Sequence, residues 1–175
     1  MTEHFGRLLY IDLTSGNVQK EQLDPSLAEP YIGGSGLAAR LLWDRLTKEL
    51  DPLGPENPLL FITGPLTGSS GPANGRFSVC AKSPATGIWG ESNCGGFWGA
   101  ELRFAGFDGI LFTGKAPTPV YLWIHDGDVE LRDASHLWGI ADTYETQSQI
   151  KQQVAAPLAR VACIGKAGER RIQYA

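Results

Sequence analysis

Two glycine tracts set the limits on what this chain can fold into. Residues 64–75 read GPLTGSSGPANG, and residues 83–96 read SPATGIWGESNCGG. Glycine loses the most backbone entropy on ordering, and proline removes a donor and fixes φ, so both tracts are expected to be irregular. They interrupt short strand-like runs, LLFIT at 59–63 and RFSVCA at 76–81. Helices do not follow each strand, so the rhythm is not the βαβ alternation of a dinucleotide-binding fold. The chain holds 22 glycines and 11 prolines in 175 residues, without the three-residue glycine period of collagen. Its 42% hydrophobic content excludes a disordered chain. The length suits one domain with a substantial core.

The remaining pattern predicts a mixed α+β domain, mainly antiparallel, with about nine strands and three helices. RLLYIDL at 7–13 and Val18 to Leu23 form a hairpin around Thr14-Ser15-Gly16-Asn17. Leu37, Leu41, Leu42 and Leu46 recur at helical spacing, predicting a helix over 37–50 with Ser35 as its cap. A short helix is expected over 97–105. Three strands follow at 108–113, 119–124 and 128–132, the last two joined by His125-Asp126-Gly127. A polar helix at 143–154 precedes two further strands, RVACIG at 160–165 and RRIQY at 170–174. A strand at the very end would leave an unpaired edge, which suggests that the domain belongs to something longer.

Charge and composition narrow the function. Only 19% of residues are charged and the formal net charge is −4, a poor match to a nucleic-acid binder that neutralises phosphates. No apolar run is long enough to span a membrane, and the first residues lack a basic stretch followed by an apolar core. Three scattered cysteines, Cys80, Cys94 and Cys163, fit a reducing, cytoplasmic setting. Cys80 and Cys163 lie in apolar strand patterns and read as core residues, whereas Cys94 reads as exposed. His4, His125 and His136 show no metal-ligand spacing, and His125 and His136 read as solvated or capping groups.

The glycine tracts carry the strongest hint of chemistry. Bare backbone admits a bulky ligand, and Arg76, directly after the first tract, has the planar fork that pairs with phosphate. Asn93 lies in the second tract. The residues themselves leave two readings open, a ligand cradle or a set of surface turns. Neither tract is a P-loop, because Gly71 to Arg76 continues into Phe77 with no lysine followed by a hydroxyl. Gly33-Gly34-Ser35-Gly36 before the Leu37 helix is only a weak nucleotide fingerprint. Trp89 and Trp98 flank Asn93, where they would either wall a flat ligand or pack in the core. Glu91 and Glu101 are carboxylates with nothing to fix their separation.

GRLLYIDLTSGNV, IGGSGLAARLL, PENPLLFITGPLTG, NGRF, SNCGGFWGAELRFAGFDGILFTGKA, PVYL, VELRDASHLWG and IGKAGE follow one another along the chain. Together they resemble the N-terminal domain of the tungsten-containing aldehyde:ferredoxin oxidoreductases, over residues 6–172. The tungsten subunit of class II benzoyl-CoA reductase shares these motifs. The resemblance implies that residues 1–175 form a tungstopterin-binding domain, a β-sheet base under a tungsten bis-pyranopterin. Later, mostly helical domains would cover it and supply a [4Fe–4S] cluster. In the full enzyme an aldehyde would be oxidised to its carboxylic acid, with ferredoxin taking the electrons. This chain alone is expected to be inactive, and the oligomeric state is left open.

Carried over by position, Arg76 matches the arginine that contacts pterin phosphate. Asn93 matches the asparagine whose backbone carbonyl helps hold a bridging magnesium ion, and Gly95 and Gly96 match glycines passing close under the pterin. The resemblance assigns no catalytic acid or base here and gives no reason to make Cys94 a cluster ligand. The alternatives are a benzoyl-CoA-reductase-type domain and a stand-alone, non-catalytic cofactor-binding or assembly module.

Overall fold

The computed structural model describes residues 5–173. A hairpin opens the fold, β1 (Arg7–Asp12) and β2 (Asn17–Gln22). A short helix α1 (Pro25–Ala28) and a 3-10 turn lead to α2 (Gly34–Trp43). Strands β3 (Leu59–Thr63), β4 (Phe77–Lys82) and β5 (Trp89–Cys94) precede helix α3 (Trp98–Phe104) and β6 (Gly109–Thr113). A second hairpin, β7 (Val120–His125) and β8 (Asp128–Asp133), is followed by α4 (Thr143–Gln153) and the short α5 (Lys166–Glu169). The main sheet has the order β2-β1-β6-β3-β4-β5; β7 and β8 form their own two-stranded sheet. Only β1 and β6 pair in parallel, so the α+β, mainly antiparallel expectation describes the fold.

The continuous apolar runs of β1, β3 and β6 follow from burial on both faces. Leu8, Leu60, Ile62 and Leu111 pack against Leu37, Ala38 and Leu42 of α2. The alternate residues Leu9, Ile11, Ile110, Phe61 and Phe112 face the other way, toward Leu102 of α3 and the β7–β8 hairpin. A smaller cluster of Ala134, Leu137, Ala141 and Ile150 anchors α4. That helix begins with a capping box, in which Asp142 accepts from the Glu145 N–H at 2.8 Å and Glu145 accepts from the Asp142 N–H at 3.0 Å.

Several expectations are corrected. Helix α2 begins earlier and ends sooner than 37–50; its N-cap is Gly33, and Ser35 lies inside the first turn. Leu46 still packs on the core, but a turn carries it there: the N–H groups of Arg45 and Leu46 both donate to Leu42 O. The second glycine tract contains a strand, β5, paired residue for residue with β4. As an edge strand it needs only one partner, so glycine and polar residues are tolerated in it. Residues 160–165 form no strand and pair with none of the described strands; Val161 packs against the α4 cluster instead. Cys163 is accordingly exposed instead of core, while Cys80 is buried. Residues 170–173 are turn beyond α5, and Tyr174 lies outside the described residues.

Lys82 closes the chain where α2 runs out. Its ammonium is buried and donates to the carbonyls of Thr47, Lys48 and Leu50 at 3.0, 2.8 and 2.7 Å. Asn57 accepts from the Lys82 N–H at 3.1 Å and donates to the Lys82 carbonyl at 3.0 Å. Lys82→Met keeps the apolar stem but strands the three carbonyls. It is expected to lower stability by about 1–3 kcal/mol, measured by urea denaturation. A midpoint equal to that of the parent protein would show that solvent satisfies those carbonyls.

Candidate functional site

The first glycine tract is folded by its own hydroxyl and amide groups. Thr67 Oγ1 accepts from the Gly64 N–H at 3.1 Å and donates to the Arg76 carbonyl at 3.0 Å. The Gly68 N–H donates to Asn74 O at 2.7 Å, closing the loop above it. From α3, Arg103 donates to the carbonyls of Gly64 and Pro65 at 2.9 and 2.7 Å. Arg103 is held in turn by Asp108, at 3.1 Å between Nε and Oδ1. The other Asp108 oxygen accepts from the N–H groups of Gly6 and Arg7 at 2.7 and 2.9 Å. One buried ion pair therefore ties the entry of β1, the end of α3 and the base of the tract together.

The two tracts meet through backbone. A Cβ on Gly75 would stand 2.0 Å from Gly96 O, and one on Gly99 would stand 3.0 Å from Gly75 O. Gly75 thus serves contact between the tracts, and Gly99 contact between the first tract and α3. Gly96 differs: its φ is +89°, a left-handed value that favours glycine, and a Cβ there would meet nothing within 4 Å. Gly95 is nearly as open; a Cβ there would meet only an Arg76 terminal nitrogen, at 3.5 Å. Part of the glycine excess is spent on packing, and part leaves bare backbone facing outward.

Arg76 and Asn93 come together at this junction. Arg76 is exposed, and its Nε–H donates to Asn93 Oδ1 in a short hydrogen bond. Asn93 Nδ2 donates to Ser78 Oγ at 3.2 Å, across the Ser78↔Asn93 pair of β4 and β5. The network continues along the same face of the sheet. Ser78 Oγ donates to Glu91 Oε1 at 3.4 Å; Ser35 Oγ, from the first turn of α2, makes a short hydrogen bond to the same oxygen. Trp89 Nε1 donates to Glu91 Oε2 at 3.4 Å. Burial first, and the Glu91 charge second, push the thiol of cross-strand Cys80 up to about 12, so it stays protonated at neutral pH.

All four positions singled out by resemblance, Arg76, Asn93, Gly95 and Gly96, lie at this one junction. The tryptophan pair does not wall it. Trp98 packs into the core against Phe77 and Phe61, with ring centroids 4.6 and 5.5 Å apart, on the face opposite Trp89. Glu91, in the edge strand β5, turns its side chain to the α2 face, whereas Glu101 belongs to α3 on the other face. His125 is exposed and stacked on Trp123 at 5.8 Å, and His136 lies 3.0 Å from Gln153 Nε2; His4 is outside the described residues. Among the described residues, no three His, Cys, Asp or Glu side chains are grouped to hold a metal ion, and no helix is long and apolar enough to cross a membrane.

Thr67, Ser78 and Arg103 carried no signal in the sequence, and Ser35 stood out only as a helix cap and within the weak glycine fingerprint. Ser35 and Glu91 are 56 positions apart, and Arg103 and Gly64 are 39 apart. Only the strand register and the seats of α2 and α3 bring them into contact.

Comparison with known proteins yields close matches. The model of the family described as aldehyde ferredoxin oxidoreductase, N-terminal domain, matches residues 8–175. The tungsten-containing aldehyde ferredoxin oxidoreductase of Pyrococcus furiosus is 43% identical over 175 residues, covering 100% of this chain and 29% of that protein. Its counterpart from Thermococcus kodakarensis is 45% identical, again over 100% of this chain and 29% of that protein. An aliphatic sulfonate oxidoreductase, WOR-like subunit, also from P. furiosus, is 37% identical over 192 residues, with 100% and 30% coverage. Among solved structures, a chain of the active site complex BamBC of benzoyl coenzyme A reductase, in complex with 1,5-dienoyl-CoA, matches with a TM-score of 0.94. That match has 46% identity and covers 97% of this chain and 26% of the other. This chain therefore spans less than a third of the length of the proteins it matches.

Proposed function

The chain belongs to the aldehyde ferredoxin oxidoreductase family, and from that premise we propose that it forms the base on which a tungsten bis-pyranopterin is held. The observation that carries this reading is the junction of the two tracts: an arginine fork oriented by Asn93, beside glycine backbone that is open on its outer side. These groups suit a flat ligand bearing phosphates. Gly95 and Gly96 offer backbone without a side chain in the way, and Arg76 offers a charge-assisted pair for a phosphate oxygen. Asn93 has its side chain committed to Arg76 and Ser78. Its backbone carbonyl is the group assigned to the bridging magnesium ion.

When bound, the tungsten group supplies two-electron exchange with the substrate, chemistry that no side chain at this junction can perform. What this chain contributes is binding and orientation. Arg76 neutralises phosphate, the tracts fix where the cofactor lies, and the Thr67 and Arg103 hydrogen bonds keep the first tract in place. The complete protein is proposed to oxidise aldehydes to carboxylic acids in the cytoplasm, passing electrons through a [4Fe–4S] cluster in further domains to ferredoxin. The similarity to the benzoyl-CoA reductase complex supports a second reading, a domain of an enzyme acting on an aromatic acyl-CoA. Assaying the complete protein with aldehydes and with benzoyl-CoA separates the two.

Arg76→Ala in the complete protein tests the binding role directly. Loss of a charge-assisted contact of about 1.5–3 kcal/mol predicts roughly tenfold or greater weakening of cofactor retention. The circular dichroism spectrum is expected to stay unchanged, because Arg76 is exposed. Elemental analysis reads the tungsten content; full occupancy in the variant defeats the proposal.

A further inference from the structure

We propose that Glu91 is a positioning residue for Arg76, acting through the polarity of a hydrogen-bond chain from Glu91 through Ser78 and Asn93. The inference rests on the binding role given to Arg76 above. A guanidinium only donates, so the Asn93 atom facing Arg76 Nε must be the carbonyl oxygen. That orientation points Asn93 Nδ2 at Ser78 Oγ, 3.2 Å away, and requires the serine oxygen to accept. The Ser78 proton must then go elsewhere. A carboxylate only accepts, and Glu91 Oε1 lies 3.4 Å from Ser78 Oγ. Ser35 Oγ, 3.3 Å from Ser78 Oγ, gives its own proton to the same Glu91 oxygen. Whether the Ser78 proton points at Glu91 or at Ser35, Glu91 is the terminal acceptor.

Without this acceptor, nothing directs the Ser78 proton away from Asn93, so Arg76 alone holds the amide in its orientation, and whenever Ser78 donates to Asn93 the amide turns over. Its NH2 group would then oppose Arg76 Nε–H, donor against donor, and the fork would lose its support. The sign of the effect separates this role from simple electrostatics. Glu91 is an exposed anion near a proposed phosphate site, so removing its charge should on Coulomb grounds strengthen phosphate binding. Positioning predicts the opposite.

The test uses the complete protein with Glu91→Ala, Arg76→Ala and the double variant, reading tungsten per chain after gel filtration together with the melting temperature. Glu91→Ala is expected to lower tungsten retention by roughly 3- to 10-fold, with little change in melting. Added to Arg76→Ala it should cost nothing further, because both act through one group. Ser78→Ala should behave like Glu91→Ala, and Ser78→Thr, which keeps the hydroxyl, should recover most of the loss. Unchanged or increased tungsten in Glu91→Ala overturns the inference. So does the same fold-loss in the Arg76→Ala background, or early melting of both Glu91→Ala and Ser78→Ala, which would mark a structural role. If Arg76→Ala itself retains full tungsten, the failure lies with the cofactor reading on which the inference depends.

Discussion

Gly75→Ala is expected to melt well below the parent protein and, in the complete protein, to lose the proposed tungsten cofactor. The added methyl carbon would lie 2.0 Å from Gly96 O, a distance real contacts essentially never show, and a tight 3.1 Å from the Gly96 carbonyl carbon. The obstacle is backbone, so no rotamer change relieves it, and the two tracts must separate. Overpacking of this kind costs about 1–3 kcal/mol and occasionally more. In a domain of this size each kcal/mol shifts the melting temperature by roughly 2–4 °C, so at the upper end, about 3 kcal/mol, a fall of about 6–12 °C is expected. Gly96→Ala provides the contrast. Its Cβ meets nothing within 4 Å, and its penalty is the left-handed φ of +89°, about 1 kcal/mol. That variant should melt only slightly early, yet place a methyl group on the face proposed to receive the pterin. Melting and tungsten content should therefore diverge: both fall for Gly75→Ala, and chiefly the metal falls for Gly96→Ala. A Gly75→Ala protein melting within about 2 °C of the parent would show that the tracts do not depend on this contact.

The same two glycines show how far the sequence could be read. Their abundance signalled irregular backbone and open space, but not which residue packs and which is exposed. That distinction depends on how 64–75 and 83–96 approach each other, which no local pattern records. Strands β1, β3 and β6 were legible because burial on both faces demands unbroken apolar runs. Strand β5 was not, because an edge strand with exposed residues such as Glu91 and Asn93 leaves no alternation of hydrophobicity. The opposite holds at 160–165, where VACI has the apolar character of a strand but pairs with none of the described strands. There Arg160 lies over the Phe97 ring at 4.7 Å and Val161 joins the α4 cluster without a ladder, while Cys163 and Ile164 stay exposed. Arg76 was conspicuous beside a glycine tract. The Asn93, Ser78, Glu91 and Ser35 chain behind it follows from strand register and the seat of α2.

Asp108→Ala should have a comparably large effect, and for a different reason. Asp108 is buried, and its carboxylate accepts the Gly6 and Arg7 N–H groups while pairing with Arg103 at 3.1 Å. Arg103 is also largely covered, with 11% of its side chain accessible. Removing the carboxylate leaves a guanidinium without its counter-charge and two amides without an acceptor. Breaking a buried pair in this way costs about 3–5 kcal/mol, more than the pair contributes relative to apolar residues, because the surviving charge stays desolvated. Asp108→Asn keeps the volume and one acceptor oxygen, and should fall between the parent and Asp108→Ala. The damage is not confined to stability. Arg103 is the group that grips the carbonyls of Gly64 and Pro65, at the base of the tract that presents Arg76. Urea denaturation gives the stability, and limited proteolysis under native conditions locates the loosening. Cleavage should begin within 64–75, because that tract depends on Arg103 and carries little burial of its own. An Asp108→Ala protein with the parent's midpoint would mean that Arg103 finds its compensation in those carbonyls. The ion pair would then be dispensable to both the fold and the tract.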